Sequence, residues 1–227
     1  GYKSITLLGQ NVNSYGRDKN HSEISFAELL RSIGKMGASA PQGLRVYFTS
    51  PHPRDMTKEV IEVISEYDCL ANQIHLPLQS GDDAVLKRMN RNHNLSKYRG
   101  IVEDLRTIIP EATLFTDIIV GFPGETVEEF EATRRAMIEF EYNMAYIAMY
   151  SPRPGAKSAD WEDDVPHEER KRRLHLLSDV LKTASRSYNE GLIGKTLPVL
   201  VSGHDRKPGY LSGKTEGLLV VRFPSED

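Results

Sequence analysis

Short apolar runs alternate along this chain with stretches whose apolar residues recur every three or four positions. Ile5–Leu8, Val46–Thr49, Ile74–Leu78, Leu114–Val120 and Met144–Met149 read as strands. Between them, Phe26, Leu29, Leu30 and Ile33 share one helical face, as do Val60, Ile61 and Ile64, and Val85, Leu86 and Met89. Ile101, Val102, Leu105 and Ile108 mark a further helix that stops before Pro110, and Phe130, Met137 and Phe140 another. Helix starts are written in the polar residues. Ser25 with Glu28 and Thr126 with Glu129 are capping boxes, and Thr57, Asp82 and Ser96 are the N-caps expected elsewhere. Strands alternating with helices predict a parallel α/β sheet, open or barrel-like.

The pattern changes after "SPRPGAKSADWEDDVP". Leu174, Leu177, Leu181, Ala184 and Tyr188 lie on one long amphipathic helix. Beyond Gly194, short β-type runs broken by Gly, Asp, Lys and Pro predict a small antiparallel sheet of two or three strands, marginal unless it packs on a neighbour. Two units are expected, residues 1–190 and residues 191–227.

The polar material collects after each strand: "GQNVNSYG", "SPHP", "QSGDD", "GFPGE" and "SPRPG". In a parallel sheet these loops converge on one rim, where such folds place their sites. Strand alternation sends Gln73, His75 and Gln79 to the face opposite Ile74, Leu76 and Leu78. Asp117 likewise lies opposite Ile118 and Val120, facing either a ligand or a buried cation such as Arg45. Gly121 ends its strand where a flat ligand needs close backbone approach. The turn has neither a Gly-Lys-Ser/Thr ending nor a G-x-G-x-x-G pattern, so it is not a phosphate loop. His52, between two prolines, is a rim residue with an exposed ring. "ERKRRL" reads as a solvated helix face.

Composition narrows the classes. With 39% hydrophobic and 27% charged residues the chain can bury a core and stay soluble, and a net charge of −3 confines any nucleic-acid contact to a local patch. No apolar run reaches membrane-span length. The seven histidines show no zinc spacing, and the single cysteine, Cys69, excludes an internal disulfide and an all-cysteine metal site. A lone thiol suits a reducing cytoplasm, and Cys69 is expected to be a buried packing residue.

Taken together, "LLGQNVNSYG", "FTSPHP", "IHLPLQSG", "DIIVGFPGET", "YSPRPGA" and "DDVPHEERKRRL" resemble, in order and spacing, the radical S-adenosylmethionine (SAM) methylthiotransferases, and among them the tRNA-modifying MiaB type. The resemblance runs the length of the chain. It implies a partial (β/α) barrel, followed by the start of a TRAM-like RNA-binding β-domain. It implies SAM as cofactor and two 4Fe–4S clusters whose cysteine ligands stand outside this sequence, so that the chain alone is expected to be inactive and to carry no catalytic or metal-ligating residue. The product would be a methylthio group on isopentenyl-adenosine beside the tRNA anticodon, with a sulfur donor as further partner. Related enzymes act instead on threonylcarbamoyl-adenosine or on a ribosomal protein. A cytoplasmic monomer is expected.

The same resemblance assigns Gln79 and Ser80 to the ribose and amino-acid end of SAM. It sets Ile119, Gly121, Tyr150 and Ser151 near adenine, Arg153 at the pocket mouth, and Asp117 beside the cofactor. Gln10, Asn11 and His52 face the substrate, and Lys195, Arg206 and Lys207 would meet RNA. Two other classes are weighed beside it. A cluster-free aldolase-like barrel would need a rim lysine or metal–carboxylate group that the sequence does not offer. A non-catalytic RNA-binding module would rest on Lys195, Arg206, Lys207 and Lys214, but residues 191–227 hold five basic against four acidic residues, a thin patch.

Overall fold

The computed structural model describes residues 2–17, 23–39 and 43–225. Five strands follow in chain order: β1 (Ser4–Leu7), β2 (Arg45–Phe48), β3 (Gln73–His75), β4 (Thr113–Val120) and β5 (Met144–Met149). All their pairings are parallel, β1 with β2, and β3 with β4 with β5. A parallel bridge between Val46 and Leu70 joins the two groups, with Ala71 N–H donating to the Val46 carbonyl at 2.9 Å.

Helices α1 (Phe26–Ala38), α2 (Lys58–Glu66), α3 (Asp83–Arg88), α4 (Leu95–Ile108), α5 (Val127–Phe140) and α6 (His167–Glu190) cover one face of this sheet. The two expected capping boxes form, and Thr57 and Asp82 cap α2 and α3. One cap differs. Asn94, not Ser96, starts α4, its Oδ1 accepting from Lys97 N–H at 2.8 Å. Both residues are cap formers, and the chain enters the helix two residues earlier than the polar pattern suggests.

Alternation decides where the core sits. In β4, Leu114, Thr116, Ile118 and Val120 are buried under the helices, while Phe115, Asp117 and Ile119 are only half-buried on the other face. Leu30, Val63, Leu76, Leu78, Leu86, Tyr98 and Phe130 complete the helix-side core. The expected strand over Ile74–Leu78 is regular only to His75, but the chain stays against β4. Leu76 and Gln79 N–H groups donate to Phe115 and Asp117 at 2.8 Å each.

After α6 come β6 (Leu200–His204), β7 (Tyr210–Lys214) and β8 (Val220–Pro224), a three-stranded antiparallel sheet. It packs across the N-terminal ends of the parallel strands. Arg45, the cation weighed beside a ligand as what Asp117 faces, instead donates to the carbonyls of Lys214 at 2.7 Å and Pro198 at 3.0 Å. Tyr47 Oη donates to the Glu216 carbonyl at 3.0 Å, and Glu216 Oε1 accepts from Asn72 N–H at 2.8 Å. Gly217 lies so close to Thr113 that a Cβ would come within 2.5 Å of its methyl group.

Candidate functional site

At the C-terminal ends of the parallel strands, the chain reverses through left-handed backbone four times: Asn11 (φ 51°), Ser50 (φ 57°), Gln79 (φ 74°) and Gly121 (φ 68°). Three of the four are not glycine, so this rim holds backbone strain of the kind that collects at sites.

The first two loops are tied together. Asn13, buried, donates from Nδ2 to the His52 carbonyl at 2.9 Å and accepts at Oδ1 from His52 N–H at 2.7 Å. Asp55, with no exposed side-chain surface, accepts from Ser14 Oγ at 2.6 Å and pairs with Arg54 and Arg17. Burial pushes its carboxyl up, but the hydrogen bonds from Arg54 and Ser14 and the Arg17 charge outweigh that and hold it at about 2. Gln10 and Asn11 are exposed on this loop pair. His52 is less free than its position between prolines suggests. Its Nδ1 accepts from Arg54 N–H at 3.0 Å, and its ring meets His93 edge-on with centroids 5.6 Å apart.

His93 lies in the link between α3 and α4, a stretch without a strand that the reading of post-strand loops passes over. Its Nε2 lies 3.3 Å from the Leu78 carbonyl. Burial, then the His52 charge, lowers its pKa to about 4, so the imidazole is neutral near pH 7.

Gln79 is inserted against β4 by backbone on both sides: its N–H donates to Asp117 at 2.8 Å and its carbonyl accepts from Ile119 at 3.0 Å. Asp117 faces the interior, as alternation requires, and its partner is His75 (Nε2 to Oδ1, 3.1 Å), whose ring lies 5.8 Å from that of Tyr146. Phe115, His75, Gln73, Tyr47, Thr6 and Tyr146 line a cavity of about 550 Å³ inside the curved sheet, closed at its far end by Lys214 and Leu218.

Ser80 does not reach this space. It is fully buried, its hydroxyl 3.2 Å from Thr133 Oγ1 on α5 and accepting from Asp82 N–H at 3.3 Å. Gly121 also differs from expectation. A Cβ there would lie 2.3 Å from the Arg170 side chain, so the close approach the glycine permits is that of α6. Its N–H donates to buried Glu125 Oε2 at 2.7 Å, which also takes Arg173 Nη1 at 2.6 Å. Arg170 reaches on to the Tyr150 carbonyl at 3.3 Å and pairs with Asp163. The "ERKRRL" segment is therefore only half a solvated face. Lys171 and Arg172 are exposed, whereas Arg170 and Arg173 are buried at the strand end. Tyr150 N–H donates to the Val120 carbonyl at 2.9 Å, bringing Tyr150 beside Gly121, while Ser151 and Arg153 stand exposed just beyond.

A family profile described as the radical SAM superfamily matches residues 1–137. The chain belongs to the radical SAM superfamily. Over 232 residues it is 42% identical to the tRNA-2-methylthio-N(6)-dimethylallyladenosine synthase of Symbiobacterium thermophilum, covering 100% of this chain and 49% of that protein. The enzyme of the same name from Clostridium botulinum is 44% identical over 225 residues, 98% of this chain and 49% of its own. The chain thus spans about half the length of these curated relatives. Among solved structures, coproporphyrinogen III oxidase (HemN) from Escherichia coli matches with a TM-score of 0.52 at 13% identity, over 84% of this chain and 51% of that one. Methylornithine synthase (PylB) matches with a TM-score of 0.50 at 16% identity, over 80% and 49%. At that identity the two structures speak for the radical SAM fold alone.

Lys195, Arg206 and Lys207 are not brought to the rim of this radical SAM fold. They belong to the segment that packs on the opposite strand ends, where Lys207 Nζ covers the Tyr210 ring at 3.9 Å. Nor do the residues present fit an iron–sulfur cluster. Among the described residues no three His, Cys, Asp or Glu side chains converge as metal ligands. Cys69 is buried against α1, its Sγ 3.8 Å from the Gly34 carbonyl and where a Gly37 Cβ would stand, and burial raises its pKa.

Proposed function

We propose that this chain is part of a tRNA methylthiotransferase that adds a methylthio group to isopentenyl-adenosine beside the anticodon. The observation that carries the reading is 42–44% identity, across essentially the whole chain, to enzymes named for that product. SAM would lie along the strand ends, with adenine against the backbone of Ile119–Gly121 and of Tyr150–Ser151. Gln79 reaches the other end of the ligand, Arg153 stands at the mouth, and Gln10, Asn11 and His52 face the tRNA base. Ser80 acts by shaping the Gln79 turn from beneath, because its hydroxyl is engaged by Thr133.

SAM and its cluster supply radical chemistry in such enzymes, and the protein supplies position. Two 4Fe–4S clusters would need thiolates other than Cys69. Residues 191–227 form the RNA-binding unit of this proposal, with Lys195, Arg206 and Lys207 meeting phosphates at a distance from the modified base. A sulfur donor completes the partners. No helix among the described residues is long and apolar enough to cross a membrane, and the enzyme is proposed to act as a cytoplasmic monomer.

The test is mass spectrometry of tRNA nucleosides from a strain deleted for the gene. The expected result is loss of 2-methylthio-isopentenyl-adenosine with accumulation of isopentenyl-adenosine. Loss of methylthiolated threonylcarbamoyl-adenosine instead would move the enzyme to that substrate.

A further inference from the structure

The rim is charged unevenly. After β5, Asp160, Glu162, Asp163 and Asp164 stand exposed together. Arg170 pairs with Asp163 and the Gly124 N–H donates to Asp164 at 2.7 Å, which leaves Asp160 and Glu162 unpaired among the described residues. The loops after β1 and β2 carry the opposite charge. Arg17 and Arg54 share one carboxylate, that of buried Asp55. Two guanidiniums on one carboxylate leave an excess positive charge, and their side chains are 55% and 42% exposed. Arg54 turns Nε and Nη2 to Asp55, and Arg17 turns Nη1, so each keeps further N–H donors for a partner outside. Helix α4 starts against the same loops. Exposed Lys97 donates from Nζ to the Arg54 carbonyl at 2.6 Å and forms no ion pair among the described residues. Asp83, at this helix start, is taken by Leu95 N–H at 2.7 Å. His52 senses the same excess, its pKa lowered by burial and then by the charges of Arg54 and Arg91.

We propose that Arg17, Arg54 and Lys97 form a docking surface for the RNA backbone at the rim. The three cations stand exposed on three separate segments, so an extended polyanion can meet all of them, and the acidic loop after β5 turns it to this side. The surface rests on the reading that tRNA is the substrate and adds where its phosphates lie. They lie beside Gln10, Asn11 and His52, at the end of the barrel opposite Lys195, Arg206 and Lys207. Such contacts fix the register of the RNA and leave the reading of the base to other groups.

Fluorescence anisotropy of a labelled anticodon stem-loop hairpin, titrated with the full chain at several salt concentrations, tests this. Lys97→Gln should weaken binding about tenfold at about 50 mM salt and converge on the parent toward ~1 M, because each lost phosphate contact lowers the slope of log K against log salt by about one. Arg17→Gln should do the same, with Ser14 and Arg54 still on Asp55. Lys97→Arg should keep the parent's slope. Hairpins with and without the isopentenyl group should weaken equally, because phosphates carry no base identity. Glu162→Gln, on the acidic side, should bind as the parent does or more tightly. Unchanged affinity and slope in both Lys97→Gln and Arg17→Gln overturns the surface while the tRNA reading stands. A parent that binds no hairpin overturns both. A poly-glutamate peptide that binds as tightly as the hairpin, with the same loss in Lys97→Gln, would assign the surface to an acidic protein and overturn it as well.

Discussion

The parallel sheet and the C-terminal antiparallel sheet are held in different ways. The parallel strands β2 to β4 pack their apolar side chains under the helices, and the continuous core of the molecule runs from Phe26 on α1 to Leu177 on α6. The β6–β8 sheet contributes no residue to that core, and most of its side chains are exposed or half-buried. It is positioned by polar contacts from the barrel's N-terminal ends, above all Arg45 and Tyr47. Apolar burial makes one region self-sufficient. The other, three strands without a core, is placed by directed hydrogen bonds.

Replacing Gly121 with Val should break the first region. The left-handed backbone disfavours a β-branched residue, and the new side chain collides with Arg170. The combined cost is about 3–5 kcal/mol. Circular dichroism melts should fall by roughly 10 °C for a chain of this size. An unchanged melt would show that α6 is not seated on the strand end.

Arg45→Met should separate the two regions. Two part-buried carbonyls lose their donor, a local cost of about 1–2 kcal/mol. Hydrogen exchange should rise across residues 198–224 while the β4 amides keep their protection. Equal loosening in both would mean the regions unfold as one unit.

Acid should act on the rim before the sheet contact. Asp55 has its pKa lowered from 3.8 to about 2, so the stability it contributes is present above about pH 4 and is lost as pH falls through about 2. At 1.36 kcal/mol per unit this is at most ~2 kcal/mol, and less after screening of the exposed Arg17 and Arg54. Asp55→Asn should remove that part of the acid-dependent loss, read as exchange of residues 12–17 and 52–56 against pH.

The smallest effect sharpens the helix layer. Asn94→Ala should cost about 1 kcal/mol by denaturant titration, and Ser96→Ala close to none, because only Asn94 caps α4.

Much of this was legible from residue order. The apolar periods mark all five parallel strands and the helices between them, and Ser25–Glu28 and Thr126–Glu129 announce helix starts, because capping and amphipathicity act within a turn or two. The inward orientation of His75 and Asp117 follows from the two-residue period of a strand. Long charged side chains obey no such local rule. Arg45 could be assigned to the interior, but whether it met Asp117 or the Lys214 carbonyl depended on how a segment 169 residues away docks. Arg170 and Arg173 sit in a run that reads as solvated, and only the seating of α6 on Gly121 and Glu125 buries them. Period and caps determined the elements and their faces. The partners of the buried charges, and the end of the barrel that each polar cluster occupies, were decided by tertiary approach, because a guanidinium on a flexible stem takes the acceptor the fold brings to it.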